Sequence, residues 1–251
     1  MTVSDAATSA DHDLASELAA AAGELLLEVR ATGLEGKELK DAGDLRSHEW
    51  LMKALAERVP DDGVLSEEGA DDLARLDKRR VWIIDPLDGT REFSELDRSD
   101  WAVHVALAID HVVVAGAVAL PGFGRTYATA VVPEVPVVDR APRILVSRTR
   151  PTEHARLLAE HLDGELVPMG SAGAKAMAVV RGEADIYAHS GGQYEWDSAA
   201  PVAVAQASGL HVSRLDGSPL RYNQPNPWLP DLLICRPELA QRVLELGLEP
   251  A

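Results

Sequence analysis

Leu14, Leu18, Leu25 and Val29 recur at helical spacing through DHDLASELAAAAGELLLEVR, and the alanines between them favour the same state. Asp11 or Asp13 can cap this first helix, and Gly33 follows its end. Residues 1–10 are small and polar, and the pattern predicts that they fray. A second helix is predicted from about Asp44 to Arg58, with Leu51, Leu55 and Val59 on one face and Pro60 as its stop. The period then shortens. VLSEE (64–68), VWIID (81–85), WAVHVALAI (101–109), HVVVAGAVAL (111–120) and RTYATAVV (125–132) read as strands. The middle runs follow one another so closely that they are expected to pair antiparallel. PEVPVVDRAP (133–142) carries three prolines and is the best linker in the chain. Beyond it strand and helix alternate, from RILVS and TEHARLLAEHL through ELVPM, SAGAKAMAVVRG, ADIYAH and WDSAAPVAVAQASG to PDLLIC and PELAQRVLELG. Residues 1–135 therefore read as an α+β half and residues 142–251 as an α/β half.

Composition narrows the class. With 251 residues, 46% of them hydrophobic, the chain can bury a sizeable core; at this length roughly 70–75% of the unfolded surface is lost on folding. The balance of 24 basic against 41 acidic residues gives a net charge of −17. That argues against nucleic-acid polymers, whose binding needs clustered Lys and Arg. It leaves room for a small nucleotide or a cation. One cysteine, Cys235, rules out an internal disulfide. No apolar run approaches the ~20 residues of a membrane span. The opening MTVSDAATSADHD lacks the charge and apolar core of a signal peptide. The expectation is a soluble, cytoplasmic protein.

Four acidic elements carry candidate chemistry. Asp85-Pro86-Leu87-Asp88-Gly89-Thr90 lies where a hydrophobic strand meets a polar, helical segment. Asp85 reads as the last strand residue, with Pro86 stopping the ladder. A turn there brings the Asp85 and Asp88 carboxylates and the Leu87 carbonyl together. Gly89 permits close backbone approach, and the helix start after it favours a phosphate. A plain β-turn is the alternative. Glu67-Glu68 follows a strand, and is otherwise a solvated pair. Asp197 precedes an alanine-rich helix and Asp44 opens the second helix, where each can simply be an N-cap. If these acids converge they repel, by about 4 kcal/mol per pair at 4 Å and an effective dielectric near 20. Protons or cations must then sit among them. An all-oxygen set without Cys or His selects a hard ion such as Mg²⁺. Two metals roughly 3.5–4 Å apart suit in-line displacement at a phosphate ester.

LSEE (65–68), WIIDPLDGTREF (82–93), GSAGAKAMAVVRGEADIY (170–187), EWDSAAP (195–201) and RLDGSPLRYN (214–223) resemble, in order, the inositol monophosphatase-like superfamily of Mg²⁺-dependent, lithium-sensitive phosphatases. Within it the chain looks most like the CysQ-type 3′(2′),5′-bisphosphate nucleotidases of actinobacteria. The resemblance implies a layered αβαβα sandwich with the site between its halves. It implies two or three Mg²⁺ ions: Glu67, Asp85 and the Leu87 carbonyl at the first site, Asp85, Asp88 and Asp197 at the second, and Glu67 with Asp44, through water, at a third. It also implies that Thr90, backed by Asp44, orients the attacking water, while the Gly89 and Thr90 backbone cradles the phosphate. The family usually has a threonine three residues ahead of Asp44; here it is Asp41.

The subfamily rests on finer features. Arg91-Glu92-Phe93 is similar to the basic-Glu-Phe triplet of the nucleotidases. A second phosphate needs cationic contacts, for which Lys175, Arg91, Arg214 and Arg221 are candidates, with Ser171 beside Lys175. Each arginine is otherwise a solvated surface residue. Tyr222 and Trp228 are candidates to stack on a base, or else to pack. His104 reads as a core or interface histidine, compatible with a homodimer that nothing requires, and Cys235 as a buried thiol rather than a nucleophile. The resemblance implies hydrolysis of 3′-phosphoadenosine 5′-phosphate to AMP and phosphate, without a covalent intermediate, in the setting of sulfate assimilation. Asp88→Asn is expected to cut turnover by orders of magnitude and leave the fold intact. A broad inositol or fructose-1,6-bisphosphate phosphatase, and a non-catalytic metal or nucleotide sensor, remain as alternatives.

Overall fold

The computed structural model describes residues 6–246, apart from 72 and 150. Helix α1 (Ser9–Arg30) starts earlier than its leucines imply. Its cap is Thr8, not Asp11 or Asp13: the Thr8 hydroxyl accepts the Asp11 N–H at 3.3 Å, and Asp11 accepts the Thr8 N–H at 2.8 Å. This reciprocal box orders residues expected to fray; residues 1–5 lie outside the described residues. Leu26, not Leu25, completes the buried stripe of Leu14, Leu18, Ala22 and Val29.

Helix α2 (Gly36–Arg58) begins eight residues before Asp44, so Asp44 lies inside the helix and does not cap it. Its buried face is Leu39, Gly43, Ser47, Leu51 and Leu55. These recur every four residues, which places them on one stripe. Gly43 belongs there because a Cβ would meet Phe93 Cε1 at 2.7 Å and Leu87 Cδ2 at 2.9 Å.

Strands β1 (Gly63–Ser66), β2 (Arg80–Asp88), β3 (Ala102–Ile109), β4 (Val112–Leu120) and β5 (Arg125–Ala128) form one sheet in chain order, with the short helix α3 (Thr90–Ser94) between β2 and β3. β1 and β2 are parallel and the other pairs antiparallel. After the linker come β6 (Arg143–Ser147), α4 (Glu153–Leu162), β7 (Glu165–Met169), α5 (Ala172–Val180), β8 (Ile186–His189), β9 (Gln193–Tyr194), α6 (Glu195–Ala207), β10 (His211–Ser213), β11 (Trp228–Leu229), β12 (Leu232–Cys235) and α7 (Pro237–Glu245). A second sheet runs β10-β12-β8-β6-β7, and β9 pairs with β11 in a small ribbon. The three two- or three-residue strands β9, β10 and β11 are too short to leave an alternating pattern in the sequence.

Side-chain alternation on the strands creates three cores. Trp82, Ile84, Val103, Val105 and Leu107 pack toward α1 and α2. Val81, Ile83 and Ala106 face the other way, into a core shared with Met177 and Val179 of α5, Val202 and Val204 of α6, and Leu145 and Ile234 of the second sheet. Ile144, Ile186, Leu233 and Cys235 form a third core with Leu158 of α4 and Val243 of α7. The result is the expected αβαβα sandwich, with α5 and α6 as its middle layer. The approach of α6 is close: a Cβ at Gly116 would lie 2.9 Å from the Ala203 methyl. The N-termini of α5 and α6 both open toward the end of β2. No helix among the described residues is long and apolar enough to cross a membrane.

Candidate active site

Asp85 and Asp88 are three apart, and on a regular strand they would point to opposite faces. They do not, because β2 continues through Pro86 with a bulge. Asp85 pairs with His104 and Asp88 with Ala102, so three steps on β2 match two on β3. The extra residue resets the alternation and turns both carboxylates toward the middle helical layer. Pro86 therefore sits within a bulge and does not stop the ladder, correcting the sequence-based expectation. Ser47 pins the bulge by donating to the Pro86 carbonyl at 2.7 Å. The Leu87 side chain is buried on the opposite face beside Phe93.

Asp85, Asp88 and Asp197 offer carboxylate oxygens within 4.8 Å of one another. Their settings differ. Asp88 accepts the Ser171 hydroxyl, the Ala172 N–H at 3.1 Å and the Gly173 N–H at 2.6 Å, and lies 3.2 Å from His104 Nε2. Burial alone would raise its pKa; His104 and these donors outweigh that and hold it down to about 2. Asp85 is fully buried, with Oδ1 accepting the Leu87 N–H at 3.0 Å. Burial, then Glu67, Asp88 and Asp197, push it well above the ordinary range. Asp197 does not cap α6 as expected: Tyr194 is the N-cap, and Asp197, the third residue of the helix, accepts the Tyr194 N–H at 2.6 Å as the capping-box partner while also belonging to the cluster. Burial and Asp88 raise it to about 6. Glu67 follows β1 and is exposed as a residue, but its carboxyl hydrogen-bonds Asp85; desolvation there and the surrounding acids raise it to about 7.

Thr90 and Asp44 meet across the other side. The Thr90 hydroxyl donates at 3.2 Å to the Leu87 carbonyl or at 3.5 Å to Asp44. Burial and Glu68 push Asp44 to about 7. Gly89 holds φ = +83°, and a Cβ there would lie 3.0 Å from Ser171 Cβ. Ser171 itself has φ = +48°, uncommon for a non-glycine residue, and its hydroxyl accepts the Ala174 N–H at 3.0 Å while donating to Asp88. Lys175 is buried, donates to the Ser171 carbonyl at 2.8 Å, and lies 5.2 Å from the Tyr187 ring centre. Burial lowers its pKa. Asp88, Ser171, Lys175, Tyr187, Tyr194, Asp197 and Trp228 share the wall of a cavity of about 330 Å³.

Several candidates are placed elsewhere. Arg221 is exposed and outside the cavity wall; its loop is held by the Tyr222 N–H on the His111 carbonyl at 3.0 Å and by the Asn223 and Gln224 N–H groups on the Glu195 carboxylate, at 2.6 and 2.8 Å, at the start of α6. Tyr222 is buried with its hydroxyl 3.2 Å from that of Ser198, a packing role. Arg214 is committed to Asp231 by two bonds, at 2.7 and 2.6 Å. Arg91 is exposed on α3, whereas Glu92 beside it is buried and bonded by Arg148 at 2.7 Å. Asp41 is exposed and paired with Lys37. Cys235 is buried and its thiol pushed up to about 12, unsuited to nucleophilic attack. His104 is the residue that sequence reasoning missed. It is fully buried within its own chain, which removes it from any dimer surface. Its Nδ1 faces the Trp196 carbonyl at 3.0 Å and its Nε2 faces Asp88. Its place in an apolar strand hid this; only the Asp85–His104 pairing reveals it.

Three converging carboxylates, of which Asp85 and Asp197 are raised by burial and by their acidic neighbours, offer oxygen ligands beside a cavity and fit hard divalent cations. The fold, the bulged Asp-Pro-Leu-Asp segment and the Asp197 helix start together make the chain a member of the inositol monophosphatase family, whose model matches residues 10–246. It is 51% identical to a curated 3′-phosphoadenosine 5′-phosphate phosphatase of Mycobacterium leprae, over 93% of this chain and 92% of that one. It is 34% identical to the 3′(2′),5′-bisphosphate nucleotidase CysQ of Escherichia coli, over 72% and 78% of the two chains. Among solved structures, CysQ of Bacteroides thetaiotaomicron superposes with a TM-score of 0.75 at 26% identity, covering 90% of this chain and 97% of that one.

Proposed function

We propose that this chain hydrolyses 3′-phosphoadenosine 5′-phosphate to AMP and phosphate. The observation that carries the reading is the convergence of Glu67, Asp85, Asp88 and Asp197 beside a cavity of about 330 Å³, in a chain 51% identical to a phosphatase of that name. Two or three Mg²⁺ ions would be held by Glu67, Asp85 and the Leu87 carbonyl, by Asp85, Asp88 and Asp197, and by Glu67 with Asp44 through water. Bound there, they supply Lewis-acid stabilisation of phosphoryl and leaving-oxygen charge and a lowered pKa for water.

The remaining work belongs to the chain. Residues 1–135 bring Asp44, Glu67, Asp85, Asp88 and Thr90; residues 142–251 bring Asp197 and the cavity wall. Thr90 orients the attacking water, and Asp44, which accepts the Thr90 hydroxyl, backs it. The Gly89 and Thr90 backbone receives the phosphate. Lys175 supplies positive charge for the second phosphate at the cavity wall. The setting is cytoplasmic sulfate assimilation, as the family resemblance implies.

Thr90→Val and Asp44→Asn are each expected to lower kcat by roughly 10²- to 10³-fold, with the double variant little worse than either, because Asp44 acts through the Thr90 hydroxyl on the same water. Multiplicative losses in a double-mutant cycle would separate them. The function itself is tested by phosphate release with Mg²⁺, with and without Li⁺, on 3′-phosphoadenosine 5′-phosphate, inositol 1-phosphate and fructose 1,6-bisphosphate. A nucleotide preference suppressed by Li⁺ supports the reading. Preference for either other substrate replaces it with a broader phosphatase, and metal binding without phosphate release with a sensor.

A further inference from the structure

The cavity has three chemically distinct parts: the acid cluster, Lys175, and an aromatic edge that the hydrolytic reading leaves unused. Tyr194 and Trp228 stand directly opposite each other on the β9–β11 ribbon. Opposite residues of a strand pair project from the same face, and both line the cavity. They are 45% and 48% exposed and belong to none of the three cores. Packing therefore leaves about half of each ring open, and that open part faces the cavity.

Their setting is stiffened. Tyr194 stacks on Trp196 with ring centres 4.7 Å apart and planes 9° from parallel. Trp228 lies against Gly192, where a Cβ would come within 2.8 Å of the indole and where φ is +77°. That turn is tied by the His189 ring to the Gly192 carbonyl at 2.9 Å and by the Gly192 N–H to the Pro230 carbonyl at 3.0 Å. A flat, partly wet aromatic surface held in one orientation loses little entropy when a planar ligand covers it. Base–aromatic stacking is among the strongest sequence-tolerant contacts a nucleobase makes.

We infer that Tyr194 and Trp228 form the base platform of the site, and that Trp228 sets the preference for a purine nucleotide over a phosphate ester without a base. The inference rests on the hydrolytic reading above and adds to it the residues that choose the substrate.

The test compares the full chain with Trp228→Ala, Trp228→Phe and Tyr194→Ala, using Mg²⁺ and two substrates, 3′-phosphoadenosine 5′-phosphate and inositol 1-phosphate. Trp228→Ala is expected to lower the nucleotide-to-inositol ratio of kcat/KM by about 10- to 100-fold, mainly through the nucleotide KM. Trp228→Phe should restore most of the ratio, and Tyr194→Ala should lower it less. A ratio unchanged in Trp228→Ala overturns the platform, whether both activities fall together or neither falls. Calorimetric binding of AMP, without turnover, separates the two readings. If the wild type prefers inositol 1-phosphate, the hydrolytic reading fails by itself; AMP binding lost in Trp228→Ala still supports the platform, and binding unaffected by it overturns the platform as well.

Discussion

Asp85→Asn is expected to abolish at least about three orders of magnitude of turnover while leaving the melting temperature of the metal-free protein unchanged or higher. The expectation follows from the state of Asp85 without cations. It is fully buried, hydrogen-bonds Glu67, and is pushed toward its protonated form by burial and by Glu67, Asp88 and Asp197. An asparagine is nearly isosteric with that neutral acid. Its carbonyl can still accept the Leu87 N–H, and its amide can donate to Glu67 where the shared proton did. What it cannot supply is the negative charge common to both proposed cation positions. Losing several kcal/mol of transition-state stabilisation corresponds to a thousandfold or more in rate, since each 1.36 kcal/mol is about tenfold. Steady-state turnover at saturating Mg²⁺ and thermal melting in chelator check the two halves. Near-normal turnover would remove Asp85 from the site.

Asp88→Asn is the less discriminating substitution, and here the sequence-based expectation of an intact fold is revised. Asp88 is the acceptor at the start of α5, taking the Ser171 hydroxyl and the Ala172 and Gly173 N–H groups with His104 alongside. An amide at this position must turn its NH₂ toward donors. Leaving a buried donor unmatched costs about 1–3 kcal/mol, so Asp88→Asn should lose stability together with activity.

The contrast shows what the residues announced in advance and what they concealed. The long strands, the flanking helices and the Asp-Pro-Leu-Asp and Trp-Asp segments stood out because their patterns are local. Helix α2 was cut short because two positions of its buried stripe, Gly43 and Ser47, are not apolar. Gly43 lies there because Phe93 and Leu87 crowd it, a tertiary reason invisible in the local pattern. The bulge at Pro86 was hidden for the opposite reason, since proline normally ends a ladder and only pairing to β3 reveals continuation. Among apolar neighbours His104 reads as a core or interface histidine; it is core, and its partner is the buried carboxylate of Asp88. Charge alone makes Arg221 a candidate; the structure leaves it exposed and outside the cavity wall, on a loop tied to Glu195 at the start of α6.

The metal-free protein is expected to lose stability as pH rises from about 5.5 to 8, and Mg²⁺ is expected to restore it at the alkaline end. Glu67 and Asp44 are held at about 7, Asp197 at about 6, and Asp85 well above its ordinary value. In the unfolded chain these acids titrate near 4. Their folded pKa values are raised, so between these limits the folded state carries the extra protons. Stability is then fully present below the unfolded values and falls as pH climbs through the folded ones. Asp88 has the opposite sign, but its shift to about 2 acts only below that window; His154, held down to about 4 by burial, also has the opposite sign and offsets part of the loss up to about pH 6.5, while His104, raised by Asp88 against its burial, adds to it. One pKa unit is about 1.4 kcal/mol; because the acids are coupled and Glu67 is partly in water, a net change of a few kcal/mol is the right order. For a chain of this length that is roughly 5–10 °C in melting temperature. Bound cations should hold the same carboxylates ionised, so the profile with saturating Mg²⁺ should flatten and its apparent affinity should weaken as pH falls below about 7, where protons compete for the ligands. Melting curves in chelator and in Mg²⁺ at pH 5.5, 6.5, 7.5 and 8 provide the measurement. A flat chelator profile, or a Mg²⁺ shift equal at both extremes, would mean that these acids do not share protons and cations in the way their burial and proximity require.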